Sequence, residues 1–219
     1  MSPQLSLFED VYSNGASASL PPAPRMIFVV FGEIWIGGRS FGEGETWHGV
    51  GPALVRAGDA GASVWRWDLT EGPPSSLASD GVRSLAKISA SLETLPKGDL
   101  LLRGDSVAFP PGGRALTHVH QGPGIRCLIE GGIRVDTQGR STAYGPGGAW
   151  FEGGPEAVFA QAAVDRPTRF IRVMILPAAL IGKASIQYVN EADRHQPHSQ
   201  SYKRLVDAPI AFTLSSALK

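Results

Sequence analysis

His118 and His120 are two of only five histidines in the chain and stand two residues apart, in Thr117-His118-Val119-His120-Gln121-Gly122-Pro123-Gly124. On a β-strand, side chains at i and i+2 leave the same face, so an extended segment holds these imidazoles side by side. Neutral imidazole is the commonest nitrogen ligand of first-row divalent ions, and such a pair is half of a metal site. The same pair can equally serve as hydrogen-bonding groups in a polar interior. The other three histidines compete poorly. His48 follows Trp47 at the start of a strand and reads as a rim residue, while His195 and His198 fall in a polar, Pro-containing tail and read as solvated.

The residues after the pair set its context. Ile125-Arg126-Cys127-Leu128-Ile129-Glu130-Gly131-Gly132-Ile133-Arg134-Val135 is an apolar run broken by a glycine turn, and Tyr144-Gly145-Pro146-Gly147-Gly148-Ala149-Trp150-Phe151-Glu152 follows. From about Asp105 to Val173 the order and spacing resemble the cupin superfamily. Its first motif reads His-x-His, three or four residues, Glu, then an apolar strand ending in Gly; its second starts from Pro-Gly. Gly124 stands where the first motif has Glu, and Val158 where the second has His. The resemblance implies an all-β chain of double-stranded β-helix (jelly-roll) barrels. Of a family ligand set of three His and one Glu, it leaves His118 and His120.

Strand parity extends the candidate site. The resemblance implies that position 124 faces inward; strand alternation then puts Arg126 and Leu128 on its face, while Ile125, Cys127 and Ile129 take the sheet-packing side. Cys127 is then structural rather than nucleophilic. Glu152 could replace the missing third ligand, or it could pair with Arg126 or another Arg. Two imidazoles and one carboxylate suit Zn, Fe, Mn or Ni. Arg126 offers a planar fork that matches a carboxylate, and Trp150 an apolar wall, so both are expected to contact a small anionic ligand.

The design is written twice. Val30–Ile36 matches Ile129–Val135 at an offset of 99, and Gly44–Trp47 matches Gly147–Trp150 at an offset of 103. The change falls in a hairpin loop, where insertions are cheap. Ala62–Trp67 stands in the place of Thr168–Val173. Two similar β-rich units imply a bicupin-like arrangement. The expected division is a degenerate N-terminal barrel over 1–70, a linker with a short helix over 71–98, a C-terminal barrel over 99–182 and a tail over 183–219. Subtracting 99 from the His pair gives Ser19 and Pro21, so the first unit is expected to lack a metal. Thr70–Ser76 reads as the turn-forming linker, and Leu77, Val82, Leu85, Ile88 and Leu92 have an imperfect helical spacing.

Bulk composition narrows the function classes. The 219 residues carry 20 Lys plus Arg against 20 Asp plus Glu, so no net field draws nucleic acid or an anionic membrane. Twenty-seven Gly and 17 Pro favour many short strands. One cysteine excludes an intramolecular disulfide and no apolar run approaches membrane-spanning length, so a cytoplasmic protein is expected. Gly-x-Ser-x-Gly and the phosphate-loop pattern are absent, and Gly42-Glu43-Gly44 lacks the strand-to-helix context of dinucleotide binding. Two functions follow. One is a metal-dependent bicupin acting on a small anionic metabolite by dioxygenase, isomerase or lyase chemistry. The other is a non-catalytic small-molecule binding or scaffold protein that has lost its metal. In either case a homodimer is expected by analogy, with Leu5-Ser6-Leu7-Phe8 as an available sheet edge.

Overall fold

The computed structural model describes residues 2–73 and 76–212. Pro74 and Ser75 of the expected linker, and the end of the expected tail, lie outside the described residues. The chain is all-β, with 17 strands and two 3-10 turns among those residues. It folds as two compact units: one takes the chain up to Glu93 and again from Ile210, the other is Thr94–Pro209. No helix among the described residues is long and apolar enough to cross a membrane.

The first unit holds β1 (Pro3–Tyr12), β2 (Ser17–Leu20), β3 (Arg25–Ile36), β4 (Arg39–Gly42), β5 (Thr46–Gly49), β6 (Ala53–Glu71) and β7 (Val82–Ser91). Their sheet runs β4-β3-β6-β1-β7, with β2 on β6 and β5 on β3. The long strands β3 and β6 change register beside Gly32, which adopts φ 77°. A Cβ there would stand 2.2 Å from the Gly61 carbonyl oxygen, so only glycine lets the two backbones approach this closely. Inward residues, including Ile34, Val55 and Val64, form an apolar core. A buried polar cluster joins Arg66 to Asp10 and Asp68, and Arg25 to Asp68 at 2.9 Å.

The second unit holds β8 (Leu100–Phe109), β9 (Arg114–His120), β10 (Gly124–Glu130), β11 (Ile133–Thr137), β12 (Arg140–Tyr144), β13 (Ala149–Glu152), β14 (Val158–Ala162), β15 (Thr168–Pro177), β16 (Ile186–Tyr188) and β17 (Ser201–Ile210). Two five-stranded antiparallel sheets, β13-β10-β15-β8-β17 and β12-β11-β14-β9-β16, supply one core. Val107, Leu128, Trp150 and Phe170 of the first sheet pack with Ile133, Val135, Val158 and Ala160 of the second.

Pairings of the first unit recur in the second. The pairs β3 with β5, β3 with β4, and β1 with β6 have counterparts in β10 with β13, β11 with β12, and β8 with β15. The register also corrects the expected partners of the His pair. Val158 faces His118 across its ladder, and Val55, which the offset of 103 matches to Val158, faces Ala18. The counterparts of the imidazoles are therefore the buried Ala18 and Leu20 rather than Ser19 and Pro21.

Three further expectations are corrected. Val82–Ser91 is strand β7, not part of a short helix, because the open side of β1 offers its backbone a registered antiparallel ladder. For the same reason Leu5–Phe8 is not a sheet edge: β1 is bonded by β6 on one side and β7 on the other, and all four residues are buried. The expected tail is structured too. Glu191–His195 forms a 3-10 turn, Ser201–Ile210 joins the sheet beside β8, and His198 stacks on Tyr188 with ring centroids 5.1 Å apart.

Candidate functional site

A small cavity in the second unit is lined by residues of both sheets. His118 and His120 come from β9, Arg126 from β10, Trp150 and Glu152 from β13, and Arg172 from β15. Tyr202 of β17 joins them and, at 46% exposure, is the one exposed residue of the lining. Strand alternation explains the convergence, since each pair at i and i+2 points to one face. Across the first sheet, Arg126 lies opposite Trp150 on one side and Arg172 on the other, and Arg172 lies opposite Asp105. Gly124 lies opposite Glu152. The five residues singled out in the sequence thus stand around one space of about 30 Å³, room for about one water molecule.

Glu152 is the hub. Trp150 Nε1 donates to Oε1 at 2.8 Å, Arg126 Nη2 lies 2.7 Å from Oε2, and His120 Nε2 lies 3.3 Å from the same oxygen. The Arg126 contact is a close charge pair rather than an aligned hydrogen bond, for neither Nη2 nor Oε2 finds a partner of hydrogen-bond geometry. Arg126 Nη1 donates to the Gly124 carbonyl oxygen at 2.7 Å. His118 Nδ1 meets the Leu116 carbonyl oxygen at 2.7 Å, which leaves Nε2 as the acceptor nitrogen when Nδ1 carries the proton. Beyond this hub, Asp105 receives Arg172 Nε at 3.0 Å and Arg204 Nε at 2.6 Å. The Arg172 guanidinium lies 5.4 Å from the centre of the Tyr202 ring.

Burial sets the charge states. It lowers the His118 imidazole and pushes His120 down to about 3, against the opposing pull of Glu152, so both rings are neutral at neutral pH. Burial also brings Arg126 down to about 10, which leaves it charged. For Glu152, burial acts to raise the carboxyl, but Arg126 and then His120 outweigh it and hold it well below the usual carboxylate range. The lining therefore carries two guanidiniums against one carboxylate, with two neutral imidazoles between.

The donors do not fit a divalent ion in this arrangement. Among the described residues, no three His, Cys, Asp or Glu side chains stand close enough together to hold one. Glu152 faces a guanidinium, and a Cβ on Gly124 would meet Arg126 Nη1 at 3.0 Å, so position 124 has no space for a ligand. Sequence reasoning missed Arg172 and Tyr202. A signal for Arg172 was present, since Arg66 and Arg172 are matched positions of the two repeats, each flanked on both sides by apolar residues. Tyr202 gave none, because only the tertiary course of β17 brings it to the cavity.

Fold and site together define an all-β protein of antiparallel sheets with a buried polar centre in its second unit. Solved structures agree on the fold. A deletion mutant of Bacillus subtilis oxalate decarboxylase superposes with a TM-score of 0.64 at 15% identity, covering 90% of this chain and 74% of that one. A structure of the same enzyme from a study of its Mn(II) centers gives 0.63 at 14% identity, with the same coverage. Its structure at pH 4.6 gives 0.59 at 15% identity, covering 90% and 73%. No protein-family model matches the chain, and no curated protein does.

Proposed function

We propose that the protein is a bicupin whose second barrel binds a small anionic molecule, of the carboxylate class, at a cationic centre formed by Arg126 and Arg172. The observation that carries this reading is the charge of the cavity lining, two guanidiniums against one carboxylate. Arg126 is already turned to Glu152. Arg172 is the freer of the two, because its partner Asp105 is also held by Arg204. The neutral rings of His118 and His120 would border the ligand without adding charge, and the Trp150 ring would wall it. A cavity of about 30 Å³ admits only a few atoms, so a ligand larger than a water displaces the exposed Tyr202 ring from Arg172. The fold likeness to an enzyme named for oxalate, a small dicarboxylate, agrees with a ligand of this size and charge.

Calorimetric titration of the full-length protein with formate, acetate and oxalate tests the reading. Saturable binding of one equivalent of at least one of them is expected, weakened about tenfold or more in Arg172→Gln, as loss of a charge-assisted pair predicts. Arg204 keeps Asp105 paired in that variant, so folding is retained. Absence of saturable binding to all three anions, or equal affinity in Arg172→Gln, would overturn it. The competing reading makes His118, His120 and Glu152 ligands of a divalent metal. It is supported by the 3.3 Å separation of His120 Nε2 and Glu152 Oε2, and it requires Glu152 to turn from Arg126. Metal analysis of the purified protein separates the two.

A further inference from the structure

Three observations meet at Gly124. It lies opposite Glu152 on one neighbouring strand and Met174 on the other. A Cβ added to it would stand 2.6 Å from the Val173 carbonyl oxygen, 2.7 Å from Met174 Cγ and 3.0 Å from Arg126 Nη1. The space over this residue is thus closed by β15 and by the folded-back guanidinium of Arg126, which bonds the Gly124 carbonyl at 2.7 Å and reaches Glu152 Oε2 at 2.7 Å. Arg126 is 1% exposed, so this charge has no solvent to relax into and its partner is the Glu152 carboxylate.

We propose that Arg126 is the resident cation of the second unit, occupying the place and supplying the counter-charge of a metal ion, and that it keeps divalent ions off His118, His120 and Glu152. The inference rests on the reading of this centre as a cationic organic site. Its physical basis is charge and space. A divalent ion touching Glu152 Oε2 and His120 Nε2 would sit within a few ångströms of a buried guanidinium, at low effective dielectric, where like charges repel strongly. The guanidinium also holds the volume from which a further ligand would reach in. A buried carboxylate needs a cation beside it, and here that cation is covalently part of the chain. The two neutral imidazoles then act as hydrogen-bonding groups around the ion pair.

Removing Arg126 should convert the site. Chelator-treated full-length protein is titrated with Co²⁺, followed by visible absorption, and with Zn²⁺, followed by calorimetry, as wild type, Arg126→Ala and Arg126→Gln. The Gln variant keeps a polar side chain at position 126 while losing the charge, and so guards against a misfolded Ala variant. The wild type is expected to bind no more metal than its own His118→Ala variant. At least one folded Arg126 variant is expected to gain one equivalent, about tenfold or more tighter, with the absorption bands of protein-ligated Co²⁺, and to lose it when His118→Ala is added. Wild type binding one equivalent that His118→Ala abolishes would overturn the proposal. So would folded Arg126→Ala or Arg126→Gln without any gain over wild type. Failure of the anion titration alone leaves these outcomes unchanged, so the two readings fail separately.

Discussion

Glu152 is shared by an indole N–H, a guanidinium and an imidazole, and this sharing gives the residue its energetic weight. A buried ion pair contributes little relative to apolar packing, yet breaking it from one side strands the other charge. Glu152→Ala is therefore expected to destabilise the protein by about 3–5 kcal/mol in chemical denaturation. In the double variant Glu152→Ala, Arg126→Met, the loss should be smaller than in Glu152→Ala alone, because no guanidinium is left uncompensated. A double variant that loses the full sum of both single effects would show that the pair is not the source. The parity of β10 made Arg126 an inward residue in the sequence. Whether Glu152 met a metal or an Arg was not legible there, because both outcomes need the same carboxylate on the same face.

At the scale of the elements, β10 is a central strand held between β13 and β15, and its start must pass very close to β15. Gly124→Ala forces a methyl against backbone and against Met174, which cannot retreat from a packed core. It is expected to lower stability by about 1–3 kcal/mol, the usual cost of overpacking, and to shift the amide resonances of Val173 and Met174. Unchanged stability would mean that the two strands part easily at this point. The elements show where pattern reading stops. The alternation and turn glycines around β10, β11 and β13 marked those strands in advance. The apolar residues of β7 have no clean period, and what makes it a strand is the open side of β1, far away in sequence. Strand β17 carries no local mark for a like reason: its neighbour in the sheet is β8.

For the whole molecule, equal numbers of acidic and basic residues conceal an uneven placement, since several ion pairs and both site imidazoles are buried. The consequence is a stability that declines in acid. His118 and His120 have lowered values in the folded chain, whereas the unfolded chain titrates its histidines near about 6.5. Below that pH the unfolded state binds more protons, so the stabilisation is complete above about pH 6.5 and falls as the pH drops toward the His120 value of about 3. Glu152, also lowered, adds a loss of the same sign beneath the ordinary carboxylate range. Melting temperature measured from pH 7 to pH 4.5 should fall more steeply for wild type than for His118→Gln, His120→Gln. Parallel curves would remove the buried imidazoles as the cause.

The sequence by itself determined the all-β character, the doubled pattern and the grouping of His118, His120 and Arg126, because strand alternation and glycine turns are local properties that a few neighbouring residues fix. Only the tertiary structure decided that Glu152 turns to Arg126, that Arg172 and Tyr202 complete the cavity, and that β7 and β17 are strands. Those outcomes depend on which side chains and backbones meet across sheets. Such meetings are set by register between distant segments and by the volume left around Gly124, neither of which any local pattern encodes.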